Sequence, residues 1–180
     1  WYQKQDIIKS LVNNKLGQTT KIYARNCETR LVNSIEARNF HTTNHINGYV
    51  NSSVSVGLFY ENNLVMVCSL AKSRFNKEYE YEITRLSSLL NHSVVGGFSK
   101  IVSFIKKLNI LSICSYADRR FGEGEVYLRA GFSFIKTTVP NYWYYRQDVG
   151  FKNRMHYQKT KLKRFSNYDI NKTEYQIMTE

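Results

Sequence analysis

Apolar residues recur along this chain with two periods, and the switches between them outline its elements. Ile7, Ile8, Leu11, Val12 and Leu16 fall at helical spacing within residues 2–16, and Gly17 follows as a stop. This predicts a short amphipathic helix followed by a polar connector, GQTTK. A strand is predicted near residues 27–32, then a helix from Ser34 ending around His41. The β-rich runs 54–60 and 64–70, separated by Glu61-Asn62-Asn63, read as a hairpin. Another strand is predicted over 79–87. Behind Val94-Val95-Gly96-Gly97-Phe98-Ser99-Lys100, the residues Ile101, Val102, Phe104, Ile105 and Leu108 again have helical spacing. A short strand at 111–116 and a short helix at 125–130, stopped by Gly131, come next. The last two strands are predicted at 132–136 and 142–145, separated by Pro140, the single proline. Strands alternating with helices predict one mixed α/β domain over 27–146. A helical lead-in precedes it over 1–26, and a basic extension follows over 147–180.

Composition supports that reading. The chain has 180 residues, 42% of them hydrophobic and 14% aromatic, enough for a real core and unlike a disordered tail or a collagen repeat. No apolar run approaches the ~20 residues that a membrane helix needs. The three cysteines, Cys27, Cys68 and Cys114, are odd in number and lie in apolar runs, which fits a reducing, intracellular setting better than a disulfide framework. Trp1 in place of Met, with no signal-peptide pattern after it, gives the expectation of a fragment or processed product.

Charge changes the picture most. The net charge is +12. The densest basic patch is Arg146, Lys152, Arg154, Lys159, Lys161, Lys163 and Arg164, opposed by Asp148 and interleaved with His156, Tyr157 and Phe165. Cations mixed with aromatics suit phosphate neutralisation and base stacking, so DNA is the expected partner, while a solvated basic face is the plainer alternative. No lipidation signal or basic amphipathic helix accompanies the charge, so no membrane partner is expected.

Two motifs carry chemistry. Gly96-Gly97-Phe98-Ser99-Lys100 sits between a strand and a helix, where backbone N–H groups can cradle a pyrophosphate; the same sequence also serves as an ordinary turn. It is not a Walker motif. The second is SYADRRFGEGEVYLRAGF, residues 115–132, which puts Asp118 at the end of a strand and Tyr127 on a short helix. Asp118 can accept a proton or orient an amine, and Tyr127 can return a proton to a leaving group. Equally, Asp118 can cap the turn or pair with Arg119 or Arg120 while Tyr127 packs in the core.

Strand, glycine turn, helix, strand and Tyr-x-x-x-Gly-Phe together resemble the GNAT N-acetyltransferases. In that family the turn binds the pyrophosphate of coenzyme A and the Tyr acts near the thiolate. The resemblance implies a GNAT-like fold with a mixed central sheet flanked by helices. It also implies acetyl-CoA or a related acyl-CoA, held by Gly96, Gly97, Phe98, Ser99 and Lys100. Val94 stands where Arg or Gln is usual, and Ser99 replaces the last small residue. Tyr116-Ala117-Asp118 with Tyr127, and His45 in NFHTTNHINGY, resemble the Mom-like branch of phage DNA-modification proteins. NHINGY, GLFYENNLV, KSRFNKEYEYEITRL, VVGGFSK, PNYWYY and FKNRMHYQKTKL further resemble the C-terminal domain of phage Hef-like homing endonucleases. Residues 1–26 then look like the junction behind a Vsr-like nuclease core, an upstream domain of the same protein. Without that core, this chain is expected not to cleave DNA.

Other constellations weigh less. His41 and His45 have i,i+4 spacing, but Thr42-Thr43-Asn44 between them favours a loop and no Cys or Glu completes a set, so a cap or core role is expected rather than a metal. KSRFNKEYEYE reads as cross-strand ion pairs on a solvated hairpin, although Lys72, Arg74 and Arg85 can line a cleft. No Gly-x-Ser-x-Gly elbow occurs. Two functions stay open. One is acyl-CoA-dependent modification of a DNA base in the cytoplasm of a phage's host cell, with Asp118 as base or amine-orienting group, Tyr127 as general acid and His45 assisting. The other is a non-catalytic DNA-positioning domain of a homing endonuclease. In either, Arg85, Arg119, Arg120, Lys152, Arg154, Lys159, Lys161, Lys163 and Arg164 meet DNA.

Overall fold

The computed structural model describes residues 4–140, 142–164 and 166–179. These form two compact units, the first ending at Phe134 and the second starting at Ile135. The division falls ahead of the 146/147 boundary read from the sequence, because Trp143–Arg146 pairs with Gly150–Asn153 across that point.

In the first unit the order is α1 (Gln5–Lys15), β1 (Thr20–Tyr23), β2 (Glu28–Leu31), α2 (Ser34–Asn44), β3 (Val54–Tyr60), β4 (Asn63–Lys72), β5 (Tyr81–Ser88), β6 (His92–Val95), α3 (Gly97–Lys107), β7 (Ile113–Ser115) and α4 (Glu125–Arg129). The main sheet runs β2-β3-β4-β5-β7. It is antiparallel except for β5 and β7, which are parallel. The fold is therefore mixed α/β, with a mixed central sheet between helices.

Strand alternation supplies both faces of that sheet. On β4, Met66, Cys68 and Leu70 join Phe98, Ile101, Val102 and Ile105 of α3 in the larger core cluster. Val67, between them, joins Ala37 and Phe40 of α2 in a second cluster. Helices α2 and α3 thus cover opposite faces. The helix α3 is apolar at the spacing of one stripe, and its last turn carries Lys106 and Lys107, which complement the helix dipole.

Three elements depart from the sequence reading. The connector GQTTK contributes to β1, which pairs in parallel with β6 from Thr20↔His92 to Tyr23↔Val95. Helix α2 continues past His41 through Asn44. Its polar C-terminal residues bond back to the helix, Thr43 Oγ1 to the Asn39 carbonyl at 3.1 Å and Asn44 Nδ2 to the Phe40 carbonyl at 2.9 Å. Residues 132–136 form no strand, and Phe132 instead packs against the core.

The second unit has β8 (Trp143–Arg146) antiparallel to β9 (Gly150–Asn153), then α5 (Lys159–Leu162) and α6 (Glu174–Thr179). Its small core is Tyr157, Leu162 and Ile177.

Candidate functional site

The glycine pair turns β6 into α3. Gly96 holds φ +75°, the left-handed region, and a Cβ there would meet only the Ala24 Cβ at 3.8 Å. Gly97 is buried, and a Cβ there would lie 2.6 Å from Met66 Sδ and 2.8 Å from Val94 Cγ1. The small residue lets the start of α3 seat directly on β4. Lys100 N–H makes the first intrahelical bond, to the Gly96 carbonyl at 3.1 Å. The amides of Gly97, Phe98 and Ser99 are the first-turn donors that have no acceptor inside the helix.

Phe98 is core, 2% exposed. Its ring meets Tyr127 edge-on at 5.3 Å and stacks on Phe132 at 5.8 Å. Burial holds the pKa of the Tyr127 phenol above the ordinary value, with the nearby Ser115 side chain acting against it. Ser115 is the last residue of β7 and pairs with Ile83; beyond that register β5 runs on to Ser88 while β7 has ended. The start of α3, the Tyr127 phenol and the point where the two parallel strands part therefore come together. Ser99 is half-buried at the start of the helix. The Lys100 ammonium is turned away: it donates to the Ala24 carbonyl at 2.9 Å and to the Cys27 carbonyl, bracing the loop before β2.

Asp118 is exposed and engaged. It accepts from Arg120 Nη2 at 2.6 Å, from Arg120 Nε and from the Arg120 amide, each of the latter at 3.0 Å. The side-chain bond from Arg120 holds its carboxyl below the usual range. This is the turn-and-ion-pair arrangement that the spacing allows, and it makes Asp118 a weak proton acceptor. Arg119 is exposed beside it.

The structure does not bring His45 to this place. His45 caps the C-terminus of α2, on the opposite face of the sheet, and its Nδ1 accepts the Asn47 amide at 3.0 Å. Burial, then Arg85 and Lys4, lower its pKa to about 4. One turn earlier, His41 is fully buried in a polar chain. Its Nδ1 and Nε2 are each 2.8 Å from the Ser87 and Ser69 hydroxyls, and Ser69 continues to Ser55 at 2.7 Å. The two histidines thus take core and cap positions on one continuous helix, not flanking a loop. Arg85 lies on the same face and is occupied by carbonyls: Nε to Gly48 at 2.7 Å and Nη1 to Thr84 at 2.6 Å. It braces the loop after α2 rather than presenting its guanidinium to a phosphate. Among the described residues, no three His, Cys, Asp or Glu side chains form a metal-binding group.

In the hairpin region, Lys72 pairs with Glu80 at 3.2 Å on the surface, as the alternating charge suggests. Glu82 does not follow: its side chain is 4% exposed and accepts from Arg74 Nε at 2.9 Å. The alternating charge predicts a solvated position, whereas Glu82 registers opposite Ala71 of β4 and its carboxylate also accepts the Arg74 amide.

The basic patch divides into several environments. Lys152, Lys163 and Arg164 are exposed. Arg154 lies over the Tyr142 ring at 5.1 Å and 3.7 Å from Glu174, a second acid opposing the patch. Lys159 and Lys161 donate to the carbonyls of Ile170 and Met155. Of the interleaved aromatics, His156 is exposed and Tyr157 is core. Phe165 and the side chain of Arg146 lie outside the described residues.

No family model matches the chain, and no curated protein matches it. Among solved structures, it is similar to a GNAT family acetyltransferase of Staphylococcus aureus subsp. aureus USA300_TCH1516, at 14% identity and a TM-score of 0.44, over 65% of this chain and 98% of that one.

Proposed function

We propose that the chain is a GNAT-like, Mom-like acyltransferase that uses acetyl-CoA or a related acyl-CoA to modify an amine of a DNA base. The observation that carries this reading is the contact of Tyr127 with Phe98, the second residue of α3, which sets a phenol beside a helix N-terminus at the parting of two parallel strands. The donor set fits a diphosphate. Three first-turn amides share one end of a helix dipole, and Gly96 before them is exposed. The amides of Gly97, Phe98 and Ser99 would hold the cofactor, and Lys100 would not take part through its ammonium. Bound acyl-CoA would supply an acyl group already activated as a thioester.

The residues of the chain have distinct parts in this reading. Tyr127 keeps its proton at neutral pH and so has one to give to a leaving sulfur. Asp118, ionised against Arg120 and exposed, orients an amine rather than taking its proton, which passes to solvent as the N–C bond forms and the C–S bond breaks. A base in duplex DNA would have to leave the stack to reach such a site.

Calorimetry with acetyl-CoA tests the reading. Saturable heat is expected, and Ser99→Asp should abolish it without lowering the melting temperature, since an acid in the first turn suits the helix dipole but repels a diphosphate. No heat at millimolar acetyl-CoA would contradict the acyltransferase. One observation favours the second reading, a non-catalytic DNA-positioning domain of a phage homing endonuclease: the Asp118 carboxylate is already closed by Arg120. That reading expects DNA binding with no response to acetyl-CoA.

A further inference from the structure

The hairpin of the second unit has two unlike faces. Tyr145 registers opposite Phe151 and Trp143 opposite Asn153, whereas Tyr144 registers opposite Lys152. Alternation therefore puts Trp143, Tyr145 and Phe151 on one face and Tyr144 on the other. Tyr144 turns inward, its ring 5.3 Å from Tyr157 and packed with the small core. The three rings of the other face stay in solvent, with Trp143 54%, Tyr145 63% and Phe151 70% exposed. Tyr145 and Phe151 lie with centroids 5.0 Å apart. Each ring taken singly needs no explanation, but three on one short face form a patch of the kind that marks a binding site.

The net charge of this unit selects the occupant. Residues 135–180 carry nine Lys and Arg against four Asp and Glu. Lys152 registers with Tyr144 and so belongs to the other face of the hairpin, and Arg154, just beyond the strand, lies over the Tyr142 ring, so the cations border the three rings rather than share their face. An apolar protein surface would gain nothing from that excess of cations. A polyanion with free π-faces gains from both, and such a ligand is a nucleic acid whose bases are unpaired. In a duplex the base faces are already stacked and only their edges reach the grooves.

We infer that the Trp143–Tyr145–Phe151 face is a stacking platform for single-stranded nucleic acid. The inference rests on the DNA part of the proposed function and not on acyl transfer. It assigns the stacking role to rings other than the buried Tyr157 of the basic patch.

Trp1→Phe leaves Trp143 as the sole tryptophan. Its emission should be red-shifted and open to acrylamide in the free protein, and an oligo-dT should quench it saturably. Trp143→Ala, Tyr145→Ala and Phe151→Ala should each weaken oligo-dT binding, on the order of 5- to 150-fold, while Trp143→Phe retains most of it. Binding of a matched duplex should change little in the same variants. A blue, acrylamide-protected Trp143, an oligo-dT titration without quenching, or alanine variants that bind oligo-dT normally would each overturn the platform. Equal loss for duplex and single strand would also overturn it. Salt-dependent duplex binding that survived these results would leave the DNA reading standing without the platform. The fluorescence titration uses the unaltered hairpin, so it decides the matter even if an alanine variant fails to fold.

Discussion

A methyl group added at position 97 would enter the contact radius of both Met66 Sδ and Val94 Cγ1, at 2.6 and 2.8 Å. The thioether can swing aside, but the branched Val94 has less room. Gly97→Ala should therefore destabilise the protein by about 1–3 kcal/mol, the usual cost of overpacking a core, as read from urea denaturation. The sequence shows the two glycines but not that their reasons differ: Gly96 serves the turn and Gly97 serves packing. At His41 the spacing suggested a core or cap role, while the serine partners 28 and 46 residues away could not be read from it. Burial, then His45 and Arg85, lower the His41 pKa to about 4, against about 6.5 in the unfolded chain. Between those values the unfolded state binds a proton that the native state refuses. Stability is therefore full above about pH 6.5 and falls as the pH drops toward 4. From pH 7 to 5, His41 alone should remove roughly 2 kcal/mol. Denaturation midpoints that stay flat over that range would show that the ring is not held neutral.

Elements with a local signature were legible. Gly17 stops α1 with φ +73°, and the bonds from Gln18 N–H to Asn13 and from Gly17 N–H to Asn14 close a Schellman motif. No atom lies within 4 Å of a Cβ built there, so Gly17→Ala tests the backbone alone and should cost about 1 kcal/mol. The β3–β4 hairpin turns on Glu61 and Asn62, with φ of +49° and +64°, one residue tighter than the sequence reading. Both positions need the left-handed region, so Glu61→Asn with Asn62→Gly should raise stability by roughly 1 kcal/mol, seen as a higher melting temperature. Elements held by distant partners were not legible. β1 is polar along its length apart from Ile22 and Tyr23, and becomes a strand because β6, some 70 residues later, offers it a parallel edge. β9 follows the turn over 147–149 and takes β8 as its partner, while the span 132–136 pairs with no strand.

For the whole molecule, the +12 charge was plain in the composition, but not that Lys77, Lys100, Lys159 and Lys161 are anchored on carbonyls or that Arg85 is spent inside a loop. The DNA reading predicts that the logarithm of the binding constant falls linearly with the logarithm of the salt concentration. Charge reversal at Lys159, Lys161, Lys163 and Arg164 should reduce the slope by about 0.9 for each duplex phosphate that is no longer neutralised, as measured by gel shift across a salt series. The candidate site was legible as two motifs. What brings them together is the Phe98–Tyr127 contact between α3 and α4, a matter of packing rather than spacing.

The central claim is that the start of α3 holds the anionic part of an acyl-CoA beside Tyr127. Backbone amide chemical shifts followed during an acetyl-CoA titration test it residue by residue. The account predicts the largest changes at Gly97, Phe98 and Ser99, with a smaller one at Tyr127, and none in Ser99→Asp. Unmoved amides at these positions, or changes confined to the open depression on α2 around Asn33, Glu36 and Asn39, would contradict it.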